Sequence, residues 1–417
     1  FVDLFRTARG WVSQQEGQPW GKGPELKLTP EGWVASLEPG QYATTLMMTH
    51  GGHLPGKYVC LYEGEGQLDF QGNGKAVSST SGRIEVEVGT GSTLMLHLRK
   101  TNPNNPVRNI RFLMPGTENT YEKEPFYEGF LQRTGQFQVI RFMDWMNTNN
   151  SKIVTWEDRP RPSDATQTRK GVCLEWMIAL CNKLRVHPWF CMPHLADDGY
   201  VRAFAMQVQR DLDPELRVYV EYSNEVWNGQ FEQARYAQKQ GKALNLATND
   251  YQAQLFYHSL RSVQIFRIWE EVFGSKDRLV RVLGSQSANP WVSEQVMNFW
   301  DAWKHADAIA IAPYFGGELG NPKKAEEVAQ LTLEQVFERC EASIRENEKK
   351  TREQVQKAKA RNLVVIAYEG GQHLVGHGGA ENNERLMQLF HEANRHPRMK
   401  DLYLKDLQSW QDAGGGL

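Results

Sequence analysis

The chain has 417 residues, with 48 Lys and Arg against 50 Asp and Glu and a formal net charge of −2. That balance, without a long basic run, excludes a nucleic-acid surface, and no apolar stretch is long enough to span a bilayer. The length calls for one large barrel or two domains. The five cysteines (Cys60, Cys173, Cys181, Cys191, Cys340) are odd in number and lack metal-ligand spacing. Three of them sit in apolar segments, as buried free thiols do. The 13 Trp and 14 Tyr are numerous, and such rings either pack sugar faces or fill cores.

In chain order, Phe1–Phe5 reads as a short apolar strand, followed by a loop-like segment through Trp20. The chain opens on FVDLF without a methionine or a signal peptide, which reads as a processed or excised piece. From about Gly21 to Gly116, short alternating runs (Gln67–Phe70, Arg83–Val88, Thr93–Leu98) are separated by Gly, Ser, Asn and Pro. This texture predicts an antiparallel β-sandwich over residues 21–116.

After Pro115 strands alternate with helices. The predicted strands are Phe137–Phe142, Trp189–Met192, Arg217–Tyr222, Leu279–Leu283, Asp307–Ala312 and Leu363–Tyr368. Helices are predicted over Glu124–Gln132, Val172–Leu184, Tyr200–Leu212, Phe231–Leu244, Tyr251–Phe273, Pro290–Trp303, Thr332–Arg361, Ala380–Ala393 and Lys400–Asp412. With Phe1–Phe5 counted first, seven strands alternate with helices, the signature of a (β/α)8 TIM barrel. The expected organisation is a barrel from residues 1–20 and 117–417, with the β-sandwich inserted after the first strand. The sequence stops at Gly414-Gly415-Gly416-Leu417, where an eighth strand is expected to begin.

The stretch RVYVEYSNEVWN, Arg217–Asn228, organises the rest. Val218, Val220 and Tyr222 alternate with Tyr219 and Glu221, after which Asn224, Glu225 and Trp227 are presented. The strand LVVIAY likewise delivers Glu369 into the turn Gly370-Gly371. Two strands ending in carboxylates suit glycoside cleavage, which needs one carboxyl to protonate the leaving oxygen and another to act at the anomeric carbon. The Asn-Glu dipeptide alone is a weak signal, because it recurs at Asn347-Glu348 and Asn383-Glu384. The apolar strand before Glu225 and the tryptophan after it set that pair apart.

These residues resemble a clan A glycoside hydrolase, the superfamily that includes the family-five cellulases. The resemblance rests on motif order in the α/β part and does not reach the β-rich block. It implies that Glu225, after the fourth counted strand, is the acid/base and Glu369, after the seventh, the nucleophile. Asn224 would hold the sugar 2-hydroxyl, Tyr314 would hydrogen-bond the nucleophile, and Arg141 would support its ionised form. His194 matches a substrate-contacting position. The implied reaction is a retaining double displacement on a polysaccharide or oligosaccharide, with carboxyls roughly 5 Å apart and no cofactor or metal. A secreted or cell-surface location is expected.

Structural readings stand beside each of these. Tyr314 also fits a core tyrosine, Arg141 an interior salt-bridge residue, and His194 a structural histidine. Trp145, Trp156 and Trp227 fit sugar platforms or packing equally. His50, His53, His373 and His377 offer ligand-type side chains, but the glycines around His377 provide no helix to set metal spacing. Two other readings differ in class: a non-catalytic carbohydrate-binding protein on a degenerate barrel, and a metal-dependent barrel hydrolase. Survival of both glutamates together with Asn224 and Tyr314 favours catalysis over binding.

Overall fold

The computed structural model describes residues 1–49, 53–91 and 93–417. The fold is mixed α/β, with a curled parallel sheet of six strands and separate antiparallel sheets.

The β-rich block forms two four-stranded antiparallel sheets. One runs Val12–Gln15, Gln41–Thr49, Thr93–Thr101, Gly66–Gly72; the other runs Arg108–Leu113, Gly56–Glu63, Arg83–Val88, Gly74–Thr80. Arg83–Val88 shows the cause. Ile84, Val86 and Val88 are buried while the intervening Arg83, Glu85 and Glu87 are not, so one face of the pleat is apolar and must be covered. That face contributes to a core with Trp33, Tyr58, Phe70, Leu94, Leu96, Leu98 and Phe112.

The parallel sheet follows the order Val139–Arg141, His187–Met192, Val218–Tyr222, Leu279–Gly284, Ala308–Ile311, Val364–Ala367, each strand pairing with the next in sequence. The strands are nearly continuous apolar runs; all six residues of Leu279–Gly284 are buried, as expected for a sheet covered on both faces. The connecting helices include Leu174–Leu184, Asp198–Asp211, Asp250–Phe273 and Leu333–Lys359. A third apolar cluster lies outside the sheet, where Phe315, Leu319, Phe337, Leu386, Phe390 and Leu402 join. No helix among the described residues is long and apolar enough to cross a membrane.

The expected eight-stranded barrel is corrected at its start. Phe1–Phe5 is not a strand: Leu4–Thr7 is a 3-10 turn capped by the Asp3 carboxylate, whose Oδ1 accepts from Phe5 N (3.1 Å) and Phe112 N (2.9 Å). Those two bonds bend the chain and dock it on the antiparallel strand Arg108–Leu113. Phe5 and Ala8 accordingly join the antiparallel core. The first parallel strand is Val139–Arg141, so the β-rich block precedes all six parallel strands. Glu225 therefore follows the third strand of the sheet, and Glu369 the sixth. At the far edge, Gly416 N donates to Val365 O (2.8 Å) and Ala367 N to Leu417 O (2.8 Å). The chain thus runs beside the last strand at these two residues. The strand edges at Val139–Arg141 and Val364–Ala367 are not paired with each other.

Candidate active site

The third parallel strand ends at Tyr222, and the backbone then departs sharply from extended geometry. Ser223 (φ 58°) and Glu225 (φ 44°) both occupy the left-handed region, which costs a non-glycine residue about 1 kcal/mol or more. The turn is held by its surroundings: Ser223 N donates to Met192 O (2.8 Å), Gln233 Nε2 to Asn224 O (2.8 Å), and Asn228 N to Glu225 O (2.8 Å). Its effect is to aim Glu225 at the end of the sheet. There Oε1 accepts from the Tyr368 hydroxyl (2.9 Å) and Oε2 from Asn228 Nδ2 (2.8 Å).

Glu369 follows the sixth strand by two residues. Its Oε2 accepts from the Tyr314 hydroxyl (2.7 Å), and its Oε1 from Arg141 Nη1 (3.3 Å). The carboxyl side chain remains 29% exposed, so a ligand has access to it. Tyr314 is fixed by a two-residue parallel pairing, Tyr314–Phe315 with Gly371–Gln372. Burial, and then the Glu369 carboxylate, push the Tyr314 phenol upward; it stays a donor at any physiological pH.

Arg141 connects these groups. Nη2 donates to Asn224 Oδ1 (2.9 Å), while Nε and Nη2 grip Glu221 at 3.1 and 3.0 Å. Its guanidinium also lies over the Tyr368 ring, 4.9 Å from the centroid. Burial opposes the charge on Arg141, but the facing carboxylates Glu221 and Glu369 outweigh it and hold the group protonated. Asn224 is also held from its other end: its Nδ2 donates to Asn149 Oδ1 (3.0 Å), which also accepts from Gln233 Nε2 (2.7 Å).

The structure thus links Arg141, Asn224, Tyr314 and Glu369 by hydrogen bonds, and Glu225 reaches this cluster through Tyr368, whose hydroxyl donates to it and whose ring lies under the Arg141 guanidinium. His194 stands apart from it. Its ring meets Tyr236 edge-on at 5.4 Å, and burial lowers its pKa to about 4. Trp145 packs among Phe1, Phe130 and Phe142; Trp156 meets Tyr200 and Phe204 edge-on. Trp227 is half-buried against the main core, its Nε1 without a partner among the described residues. Among the described residues no group of His, Cys, Asp and Glu is placed to hold a metal. His50 lies outside the described residues, His53 bonds Gly89 O (3.3 Å), and His373 packs on Tyr314 at 5.2 Å. The five cysteines are all buried and free.

Sequence reasoning missed Tyr368, Glu221 and Asn149. Tyr368 was readable only as the last residue of an apolar strand, and nothing in its local pattern points across the sheet to Glu225. Glu221 carried a signal, a carboxylate in a strand otherwise made of Val and Tyr.

No known family pattern and no curated protein matches this chain. Among solved structures, it is similar to a β-glucuronidase 2 of Bacteroides uniformis, covalently bound to cyclophellitol-6-carboxylate aziridine. The identity is 11% and the TM-score 0.32, with 83% of this chain and 41% of that protein covered. The chain therefore spans about two fifths of the length of that protein.

Proposed function

We propose that this chain is a retaining glycoside hydrolase of the clan A type, acting on a polysaccharide or oligosaccharide through Glu369 and Glu225. The observation that carries this reading is the Tyr368–Glu369 dipeptide. One residue presents a carboxylate held by Arg141 and Tyr314, and its neighbour's hydroxyl reaches the other glutamate at 2.9 Å. Two carboxyls in contact with different donors is the division of labour that glycosidic cleavage requires.

In this mechanism Glu369, ionised beside Arg141, attacks the anomeric carbon as Glu225 gives its proton to the leaving oxygen. The glycosyl ester on Glu369 is then hydrolysed by a water that Glu225 deprotonates. Asn224, fixed by Arg141 and Asn149, lies next to Glu225 in sequence and borders the same site.

The test compares wild type, Glu369→Gln and Glu225→Ala on aryl glycosides and polysaccharides. Glu369→Gln is expected to lose nearly all turnover. Glu225→Ala is expected to keep its first step on substrates with good leaving groups and to be rescued by azide, which needs no general base. Wild-type turnover in both variants would rule the mechanism out, and sugar binding without turnover in the wild type would leave a binding protein.

A further inference from the structure

Beneath Glu369 and Asn224, Arg141 is held by a third carboxylate. Glu221 is 1% exposed. Its Oε2 accepts from Arg141 Nε and Nη2, from Trp189 Nε1 (2.9 Å) and from Cys191 Sγ (3.4 Å), and its Oε1 accepts from Arg141 Nη2 (3.2 Å). The strand beyond closes over it, since a Cβ on Gly284 would lie 3.1 Å from Oε1. Nothing in the proposed chemistry uses this carboxylate, and a buried charge kept with so complete a set of donors has a high cost if it does no work.

We propose that Glu221 is a positioning residue that fixes the orientation of Arg141 and sets how much of its charge reaches Glu369. This rests on the reading of Glu369 as nucleophile given above. One guanidinium serves two carboxylates here. The bidentate grip of Glu221 fixes the plane of the fork, which leaves Nη1 aimed at Glu369 and Nη2 at Asn224. It also divides a single positive charge between two negative groups.

The charged and titratable groups around Glu221 are few. Arg141 comes from the first parallel strand, Cys191 from the second, and Tyr368 and Glu369 from the turn that follows the sixth. Burial pushes the Cys191 thiol and the Tyr368 phenol well up, so both stay neutral. Burial also raises Glu221, and Arg141 first, with Cys191 and Trp189, opposes that rise.

Removing the negative charge therefore has a definite sign. In Glu221→Gln, Arg141 faces Glu369 undivided and the site loses one negative charge, so carboxylate forms are favoured throughout it. Both limbs of the bell-shaped kcat/KM profile should move to lower pH, by about one unit. With Arg141 less firmly held, kcat should fall about ten- to a hundredfold, with KM changed less than about threefold. Glu221→Asp keeps the charge but is one methylene short of the grip. Its limbs should stay at the wild-type positions while kcat falls at least about tenfold.

The experiment measures pH–rate profiles on an aryl glycoside for wild type and both variants, with folding checked by circular dichroism. Limbs that stay in place in a folded Glu221→Gln enzyme overturn the inference even if kcat drops, because a merely structural residue behaves that way. If Glu221→Gln does not fold, Glu221→Asp decides: wild-type kcat overturns the inference, as does a kcat loss accompanied by an equal change in KM or by a lowered melting temperature, whereas a loss confined to kcat in a fully folded enzyme supports it. A wild type without turnover on any glycoside overturns the proposed function, and this inference with it.

Discussion

At the scale of single residues, the site depends on hydroxyls and a guanidinium that orient carboxylates. Tyr314 is the simplest to test. Its hydroxyl makes a short bond to Glu369, and a hydrogen bond to a charged acceptor contributes about 1.5–3 kcal/mol. Tyr314→Phe is thus expected to lower kcat/KM about ten- to a hundredfold while leaving the melting temperature nearly unchanged; steady-state kinetics and a thermal melt check both halves. A second residue-scale expectation concerns acid stability. His258 is 2% exposed, its Nε2 is 3.1 Å from Gly284 O, and burial lowers its pKa to about 4. The unfolded chain takes up a proton as pH falls below about 6.5, whereas the folded one does not until about 4, so stability is lost across that window on acidification. Between pH 7 and pH 5 the wild type should lose about 2 kcal/mol more than His258→Gln, as read by urea titration at each pH. His194 acts in the same direction and Asp406, raised to about 6 by burial, in the opposite one; the comparison with the variant isolates His258.

At the scale of elements, legibility followed the source of the ordering. The helices Asp250–Phe273 and Leu333–Lys359 are visible in the sequence because their apolar stripes and caps are local. Asn249 caps the first, and Thr332 with Gln335 forms a capping box on the second. The six strands of the parallel sheet are visible because each is an apolar run of strand length. Phe1–Phe5 has the same texture but folds as a turn, because Asp3 finds its partners about a hundred residues away on the strand Arg108–Leu113. Local pattern carries no trace of such a bond. Glu225 and Glu369 stood out as strand-end carboxylates, while the donors that hold them, Tyr368 above all, depend on which strands become neighbours. Helix packing gives the prediction at this scale. Gly241 lies on the helix Glu232–Ala243 where it meets Asp250–Phe273, and a Cβ there would lie 2.0 Å from Ala253 O. Alanine has the better helix propensity by about 1 kcal/mol, but here it meets backbone that cannot turn aside. Gly241→Ala should therefore destabilise the protein by about 1–3 kcal/mol, measured by denaturant unfolding.

At the scale of the molecule, the antiparallel sheets and the parallel sheet are joined by the first eight residues and the loop around Gln167. Phe1 stacks on Phe126 and Trp145 on the parallel-sheet side, while Phe5 stacks on Trp33 on the other. Gln167 N donates to Arg6 O (2.7 Å) and Thr168 Oγ1 to Ala8 O (2.7 Å). Asp3 sits at the centre of this junction, 2% exposed, with Arg6 at 3.4 Å and Arg111 at 3.5 Å in addition to its two backbone donors. Burial raises its carboxyl and the two arginines oppose the rise. Asp3→Ala removes the acceptor for two buried N–H groups and leaves two half-buried guanidiniums facing each other. Breaking a buried pair from one side costs about 3–5 kcal/mol, and that loss should appear in equilibrium denaturation. Asp3→Asn keeps an oxygen for the N–H groups and loses only the charge, so it should fall between wild type and Asp3→Ala. Because the junction holds both layers, the Asp3→Ala chain should also become more sensitive to limited proteolysis between Gly116 and Gly135. Equal stability of the three proteins would show that the two layers are held together by packing alone.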